Sequence, residues 1–286
     1  MTSTLPHIDV HLVRGLVESQ FPQWSRLPLA LLDPAGSDHV IYRLGEHLTV
    51  RLPRHGGAVD QARKEMALLP RMAPLLPLAV PEPVAVGEPG LGYPWDWGVT
   101  RWLEGAPATV AALGASTEAA QVLAEFLLAL QALPHDGEPA AEPLVARDAQ
   151  TRAAIDTVGE HFDSDAMIRL WEAALAAPAW DRPPVWFHGD FHTGNLLTVA
   201  GRVTAVLDFG ELGTGDPARD LMMAFTLLSE GCRPVFRQVL GCDDATWLRG
   251  RGWALTTGLS AYTAYARTRP DVAAQTRRQI LAALEG

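Results

Sequence analysis

The stretch VWFHGDFHTGNLLTVAGRVTAVLDFG, Val185–Gly210, constrains the fold more than any other part of the chain. Two apolar runs, Val185–Phe187 and Val203–Leu207, lead into His188-Gly189-Asp190 and Asp208-Phe209-Gly210. Short β-branched and aromatic runs bounded by Gly and polar residues read as strands. Each strand therefore delivers a carboxylate at or near its C-terminal end. Asn195 comes shortly after Asp190, and Leu196, Leu197 and Val199 resume an apolar strand before the Ala200-Gly201-Arg202 turn. A loop with Asp190 and Asn195, a hairpin and then Asp208 bring two carboxylates and an amide oxygen towards one spot.

Those groups suit phosphoryl transfer. The hard cation that neutralises nucleotide phosphates takes oxygen ligands, and an incoming hydroxyl must be oriented and lose its proton. The order H-x-D-x-x-x-x-N followed by D-F-G is the kinase catalytic-loop pattern, here with Gly189 in place of the usual Arg. His188, Asp190 and His192 alternate, which also suits a metal site, but no third helical His/Glu motif accompanies them. With H-G-D-F-H-T-G-N at His188–Asn195, D-F-G at Asp208–Gly210 and G-D-P-A-R-D-L at Gly215–Leu221, the chain resembles the aminoglycoside phosphotransferase family of small-molecule kinases.

The resemblance implies a two-lobed, protein-kinase-like α+β fold. Residues 1–103 would form a nucleotide-binding lobe, an antiparallel sheet with a helix; residues 104–286 would form a mainly helical lobe for catalysis and acceptor binding. Asp190 is implied as the base or hydroxyl-orienting group, His188 as a brace for the loop, and Asn195 and Asp208 as Mg2+ ligands. Asp220 is implied to buttress the loop through backbone amides. ATP or GTP is the implied donor and a small-molecule hydroxyl the acceptor. That acceptor is an aminoglycoside or, alternatively, a macrolide or a metabolic alcohol of choline, homoserine or sugar type. A nucleotide-binding pseudokinase is a further alternative.

Upstream, Asp9 is a candidate cap for a helix over Ile8–Gln20. Leu29–Leu32, Val40–Leu44 and His47–Leu52 read as strands, the last two joined by a two-residue Gly45-Glu46 turn. In kinase-like proteins the first hairpin covers the phosphates. Its turn here holds Gly36-Ser37 and no G-x-G-x-x-G, so Ser37 is either a phosphate contact or a plain turn residue. Arg51 stands where such folds place the phosphate-gripping lysine, and a helix from about Val59 brings Glu65 towards it. The two are a nucleotide-site pair or a structural ion pair, with a planar fork in place of a point charge. Pro70, Pro74 and Pro77 break up the next segment. Val84–Val86 and Trp97–Leu103 read as strands, and Arg101, Trp102 and Leu103 fall where a kinase hinge meets adenine.

Thr117–Leu133 is an amphipathic helix that Pro134 ends. Asp148–Glu160 and Ala166–Ala177 read as helices, as do Ala218–Ser229, Asp244–Gly250, Trp253–Thr268 and Asp271–Glu285. The short link between Gly210 and Asp216 leaves little platform for a peptide substrate. Glu211, Asp216 and Glu230 are expected at the mouth of the acceptor site, with Arg219 paired to Asp216 or Asp220. The formal charge of −10 argues against nucleic-acid binding and suits either a cationic ligand or simple solubility. Cys232 and Cys242 form no disulfide framework. MTSTLPHIDV does not read as a secretory signal, and no apolar run reaches membrane-spanning length. A cytoplasmic protein without a membrane partner is expected.

Overall fold

The computed structural model describes residues 7–32, 38–135 and 141–286. The chain divides into two compact units, Met1–Glu104 with Ala205–Glu211, and Gly105–Thr204 with Leu212–Gly286. Ser37 lies outside the described residues.

The first unit opens with α1 (Val10–Gln20), closed at its N-terminus by Asp9, whose Oδ1 accepts the Leu12 N–H at 2.8 Å. There follow β1 (Leu29–Leu31), β2 (His39–Leu44), β3 (Leu48–Pro53), α2 (Gly56–Met72), β4 (Pro83–Gly87) and β5 (Trp97–Arg101). The strands make one antiparallel sheet in the order β1-β2-β3-β5-β4. Val13, Leu16 and Val17 of α1 share a core with Val40, Tyr42, Leu44, Val50, Leu52, Trp97 and Val99 of the sheet. Leu44 pairs with Leu48, so the β2–β3 loop is Gly45-Glu46-His47, one residue longer than expected, with Gly45 at φ 63. α2 also departs from expectation, because it runs through Pro70 to Met72. The missing N–H costs one hydrogen bond near the helix end, while burial of Leu69 and Met72 on either side keeps the turn in place. Residues 205–211 join this unit through Ala205, which bridges to Ala79, and the Val206 N–H donates to the Ala79 carbonyl at 2.9 Å.

The second unit is mainly helical. It contains β6 (Ala106–Pro107), α3 (Val110–Leu113), α4 (Thr117–Gln131), α5 (Asp148–Val158), α6 (Ser164–Ala176) and β7 (Val185–Phe187). Next come β8 (Leu196–Val199), β9 (Arg202–Val206), β10 (Gly213–Gly215), α7 (Met222–Thr226), α8 (Arg233–Leu240), α9 (Asp244–Tyr265) and α10 (Pro270–Glu285). β7 pairs with β10 antiparallel, β6, β8 and β9 make a small sheet, and β9 carries the chain into the first unit. The expected helix over 218–229 is instead a 3-10 turn, Pro217–Leu221, followed by the short α7. α8 was not anticipated.

α9 is continuous where the sequence suggested a break at its glycines. A mid-helix Gly costs about 1 kcal/mol relative to Ala, and packing explains why that cost is carried. A Cβ on Gly250 would sit 2.5 Å from the Leu221 Cβ, and one on Gly252 would sit 2.7 Å from the Ala174 Cβ. The helix approaches both neighbours too closely for a side chain. Gly250→Val should therefore lower stability by about 1–3 kcal/mol through overpacking, read as a lower midpoint in urea unfolding. An unchanged midpoint would contradict the close approach.

Candidate active site

β7 hands the chain to a loop that opens at His188. Asp220, fully buried in the 217–221 turn, accepts the His188 N–H on Oδ2 at 2.7 Å and the Gly189 N–H on Oδ1 at 2.8 Å. Hydrogen bonds to an ionised carboxylate are roughly twice as strong as neutral ones, so the loop entrance is pinned. Gly189 lies at φ 89, a conformation that any side chain would strain. This accounts for glycine where the kinase pattern has arginine. The Arg219 Nε donates to the Gly189 carbonyl at 3.1 Å. Asp216 pairs instead with Arg249, whose Nε and Nη2 donate to it at 2.6 and 3.2 Å.

His188 is buried, and its Nδ1 accepts the Asp190 N–H at 3.3 Å. The half-buried Asp190 carboxylate has Oδ2 engaged by Asn195 Nδ2 at 3.0 Å and by His192 Nε2 at 3.3 Å. Asn195 Nδ2 also donates to the Asp190 carbonyl at 2.9 Å. Both atoms it faces are acceptors, which fixes the amide orientation and reserves Asn195 Oδ1 for another partner. The Gly194 N–H donates to His192 Nδ1 at 3.0 Å, so the ring proton sits on Nε2 and faces Asp190. With both Nδ1 atoms accepting backbone N–H groups, the alternating His-Asp-His pattern is not built for a metal through them. Burial alone would raise the Asp190 pKa. The His192 hydrogen bond, the electrostatic pull of the His192 and His188 rings and the Asn195 amide outweigh it and hold the carboxyl well below the usual range.

In the first unit, Arg51 of β3 donates through Nη1 to Glu65 Oε2 of α2 at 2.7 Å, the side chains being 13% and 6% exposed. Burial opposes the charge on Arg51, but the Glu65 and Asp208 carboxylates outweigh it and raise its pKa. Burial pushes the Glu65 carboxyl up against the pull of Arg51. Asp208 sits at φ 61. A non-glycine residue there carries about 1–3 kcal/mol of strain, which persists where the surroundings enforce it and clusters at functional sites. His39 of β2 is buried, and among the described residues its Nε2 has no hydrogen-bond partner. Burial first, then the Arg51 charge, lowers its pKa to about 4 against the pull of Asp208 and Asp38.

At the expected hinge, the Arg101 N–H already donates to the Glu82 carbonyl at 2.9 Å and the Trp102 N–H to the His47 carbonyl at 2.8 Å. Among the described residues, no such partner takes the Leu103 N–H. Glu211 belongs to the first unit, where Gln61 Nε2 donates to it at 3.0 Å. Asp216 is engaged by Arg249 and by the Ala218 N–H at 3.0 Å, and Glu230 is exposed. Sequence reasoning passed over His192, His39 and Arg249 as working parts. The spacing of His192 from Asp190 and Gly194 was a usable signal. Nothing near Asp216 in the sequence marked Arg249 of α9 as its partner.

Known structures share this α+β, protein-kinase-like fold across nearly the whole chain. The GDP and kanamycin complex of APH(2")-IIia superposes with a TM-score of 0.75 at 22% identity, covering 97% of this chain and 98% of that one. The apoenzyme of macrolide 2'-phosphotransferase MphH from Brachybacterium faecium does so with a TM-score of 0.65 at 24% identity, covering 96% and 97%. An aminoglycoside 3'-phosphotransferase from Escherichia coli is 37% identical over 62 residues, which is 22% of this chain and 23% of that protein. The match thus spans about a quarter of that curated relative's length. The sequence pattern of the phosphotransferase enzyme family matches residues 31–254, and the chain belongs to that family.

The buried His39 yields a pH prediction. Its folded pKa, about 4, lies below the ordinary value of 6.5, so between those values the unfolded chain binds the extra proton. Stability is greatest above the unfolded value and is lost as pH falls towards the folded one, by about 2 kcal/mol between pH 7 and pH 5. Urea unfolding at the two pH values should show His39→Asn losing less stability on acidification than wild type by about that amount. Equal losses would contradict a neutral, buried His39.

Proposed function

We propose that the chain is an ATP- or GTP-dependent, Mg2+-requiring phosphotransferase that moves the γ-phosphate to a hydroxyl of a small molecule. The observation that carries this reading is the state of Asp190. Its Oδ2 is engaged by Asn195 and His192 on a loop tied to Asp220, and no described residue donates to Oδ1. An ionised Oδ1 is suited to orient an acceptor hydroxyl and take up its proton as the phosphoryl group transfers. His188 braces that loop from within.

Asn195 Oδ1 and the Asp208 carboxylate are hard oxygen donors, the ligand type Mg2+ prefers, and the strained Asp208 backbone supports a dedicated role for that side chain. Bound there, Mg2+ would neutralise phosphate charge. Arg51, held in place by Glu65, offers a guanidinium to the phosphates, and Ser37 remains a candidate contact. The adenine or guanine edge would meet the hinge of Arg101, Trp102 and Leu103, with Leu103 the available donor. Residues 1–103 are thus read as the nucleotide lobe and 104–286 as the catalytic and acceptor lobe. The protein would act in the cytoplasm, with neither nucleic acid nor membrane as partner. The described residues include no helix long and apolar enough to cross a membrane. The GDP and kanamycin complex and the macrolide enzyme among its structural relatives supply donor and acceptor classes to try first.

A coupled assay for nucleoside diphosphate release, run across aminoglycosides, macrolides and metabolic alcohols, tests the proposal. Asp190→Asn should lose about 10²-fold or more in acceptor-dependent turnover while binding Mg2+–nucleotide as wild type does. Arg51→Lys should keep substantial activity, whereas Arg51→Ala should lose both turnover and nucleotide affinity. Near-full activity in Asp190→Asn would remove the proposed base.

A further inference from the structure

His39 opens β2 and is 5% exposed, yet its Nε2 has no hydrogen-bond partner among the described residues. A polar group buried unpaired is destabilising, so each such orphan in a folded chain calls for an explanation. An apolar side chain at this position would avoid the penalty. The nearby Asp38 carboxylate lies 3.3 Å from His55 Nε2 and does not reach His39 Nε2.

The geometry of the sheet supplies the explanation. Side chains alternate between the two faces along a strand. Val40, Tyr42 and Leu44 enter the core shared with α1, so His39 and Ile41 point to the opposite face. Ile41 pairs with Arg51 in the β2–β3 register, and residues directly opposite one another share a face. His39 therefore stands on the Arg51 face of the sheet, one pleat along β2. There Arg51 Nη1 is held by Glu65 Oε2 at 2.7 Å. The charges of Arg51 and Asp208 both act on the His39 ring, and all of these groups belong to the first unit. An N–H donor and a guanidinium thus share the face that lies within electrostatic reach of Asp208.

We propose that His39 Nε2 donates a hydrogen bond to a phosphate oxygen of the bound nucleotide, beside Arg51. This rests on the phosphotransferase reading above and adds a contact to its nucleotide site. Phosphate oxygens accept hydrogen bonds and never donate them, so an imidazole N–H matches them. Mg2+ takes oxygen ligands, which makes the ring a poor metal ligand and a good partner for the anion.

Three substitutions separate this role from a structural one. His39→Leu removes the donor, His39→Asn carries an amide about as far out as Nδ1, and His39→Gln extends one to about the reach of Nε2. Calorimetric titration with Mg2+–ATP should show affinity falling about tenfold or more in His39→Leu and His39→Asn, with His39→Gln within about threefold of wild type. Mg2+–tripolyphosphate, which has neither base nor ribose, should lose affinity in His39→Leu by the same factor. Without ligand and near neutral pH, His39→Leu should unfold at the same or a higher urea concentration than wild type, because no native partner is lost. Wild-type affinity for Mg2+–ATP in His39→Leu would overturn the proposal, as would His39→Gln weakened as much as His39→Leu. Tripolyphosphate affinity unchanged in His39→Leu would move the contact off the phosphates and overturn it too. A wild-type chain that binds no Mg2+–ATP would remove the phosphotransferase reading itself, whereas tight wild-type binding that His39→Leu leaves intact removes the His39 contact alone.

Discussion

The Asp220 carboxylate receiving the His188 and Gly189 amides is the interaction on which the rest of the site depends. Two buried backbone N–H groups would otherwise each cost about 1–3 kcal/mol unsatisfied, so the loop has a strong reason to stay where Asp220 puts it. The turn that carries Asp220 is itself fixed by Asp216, which caps Ala218 and is clamped by Arg249 of α9. A chain of contacts therefore runs from a helix deep in the second unit to the backbone of the His188–Asp190 loop. Only then do His188, Asn195 and His192 set the direction of Asp190. Glycine at 189 follows from the same constraint, since the pinned backbone adopts a φ of 89.

In the first unit the corresponding constraint is electrostatic. A buried ion pair is costly to desolvate and gives little net stability over an apolar pair, yet removing one partner costs about 3–5 kcal/mol. Arg51 and Glu65 therefore lock β3 to α2 and at the same time hold a cation near the strained Asp208. The site concentrates charge that a globular core would ordinarily avoid, and His39 stays neutral beside it. Such a concentration makes sense where phosphates and their counter-ion are to be bound.

Much of this was legible in the sequence because it rests on local patterns. The order of His188, Asp190, Asn195 and Asp208 follows from strand-ending motifs, the Arg51–Glu65 pair from a strand and a helix face, and the α1 cap from Asp9. The illegible parts were set by tertiary contacts. The glycines of α9 read as breaks because their reason for being glycine is the proximity of Leu221 and Ala174. The partner of Asp216 was not legible because Arg249 lies on a distant helix. Pro70 read as a helix end because burial of Leu69 and Met72 cannot be seen from periodicity alone.

The central claim is that Asp208 and its surroundings serve a metal-bound nucleotide, and one measurement addresses it without any acceptor in hand. Calorimetric titration of ATP into wild type and Asp208→Ala, each with and without Mg2+, separates a metal role from a structural one. The account predicts tight binding by wild type only with Mg2+, and a loss of at least about tenfold in Asp208→Ala that appears only when Mg2+ is present. Equal affinities with and without Mg2+ in wild type, or an equal loss under both conditions in the variant, would contradict it.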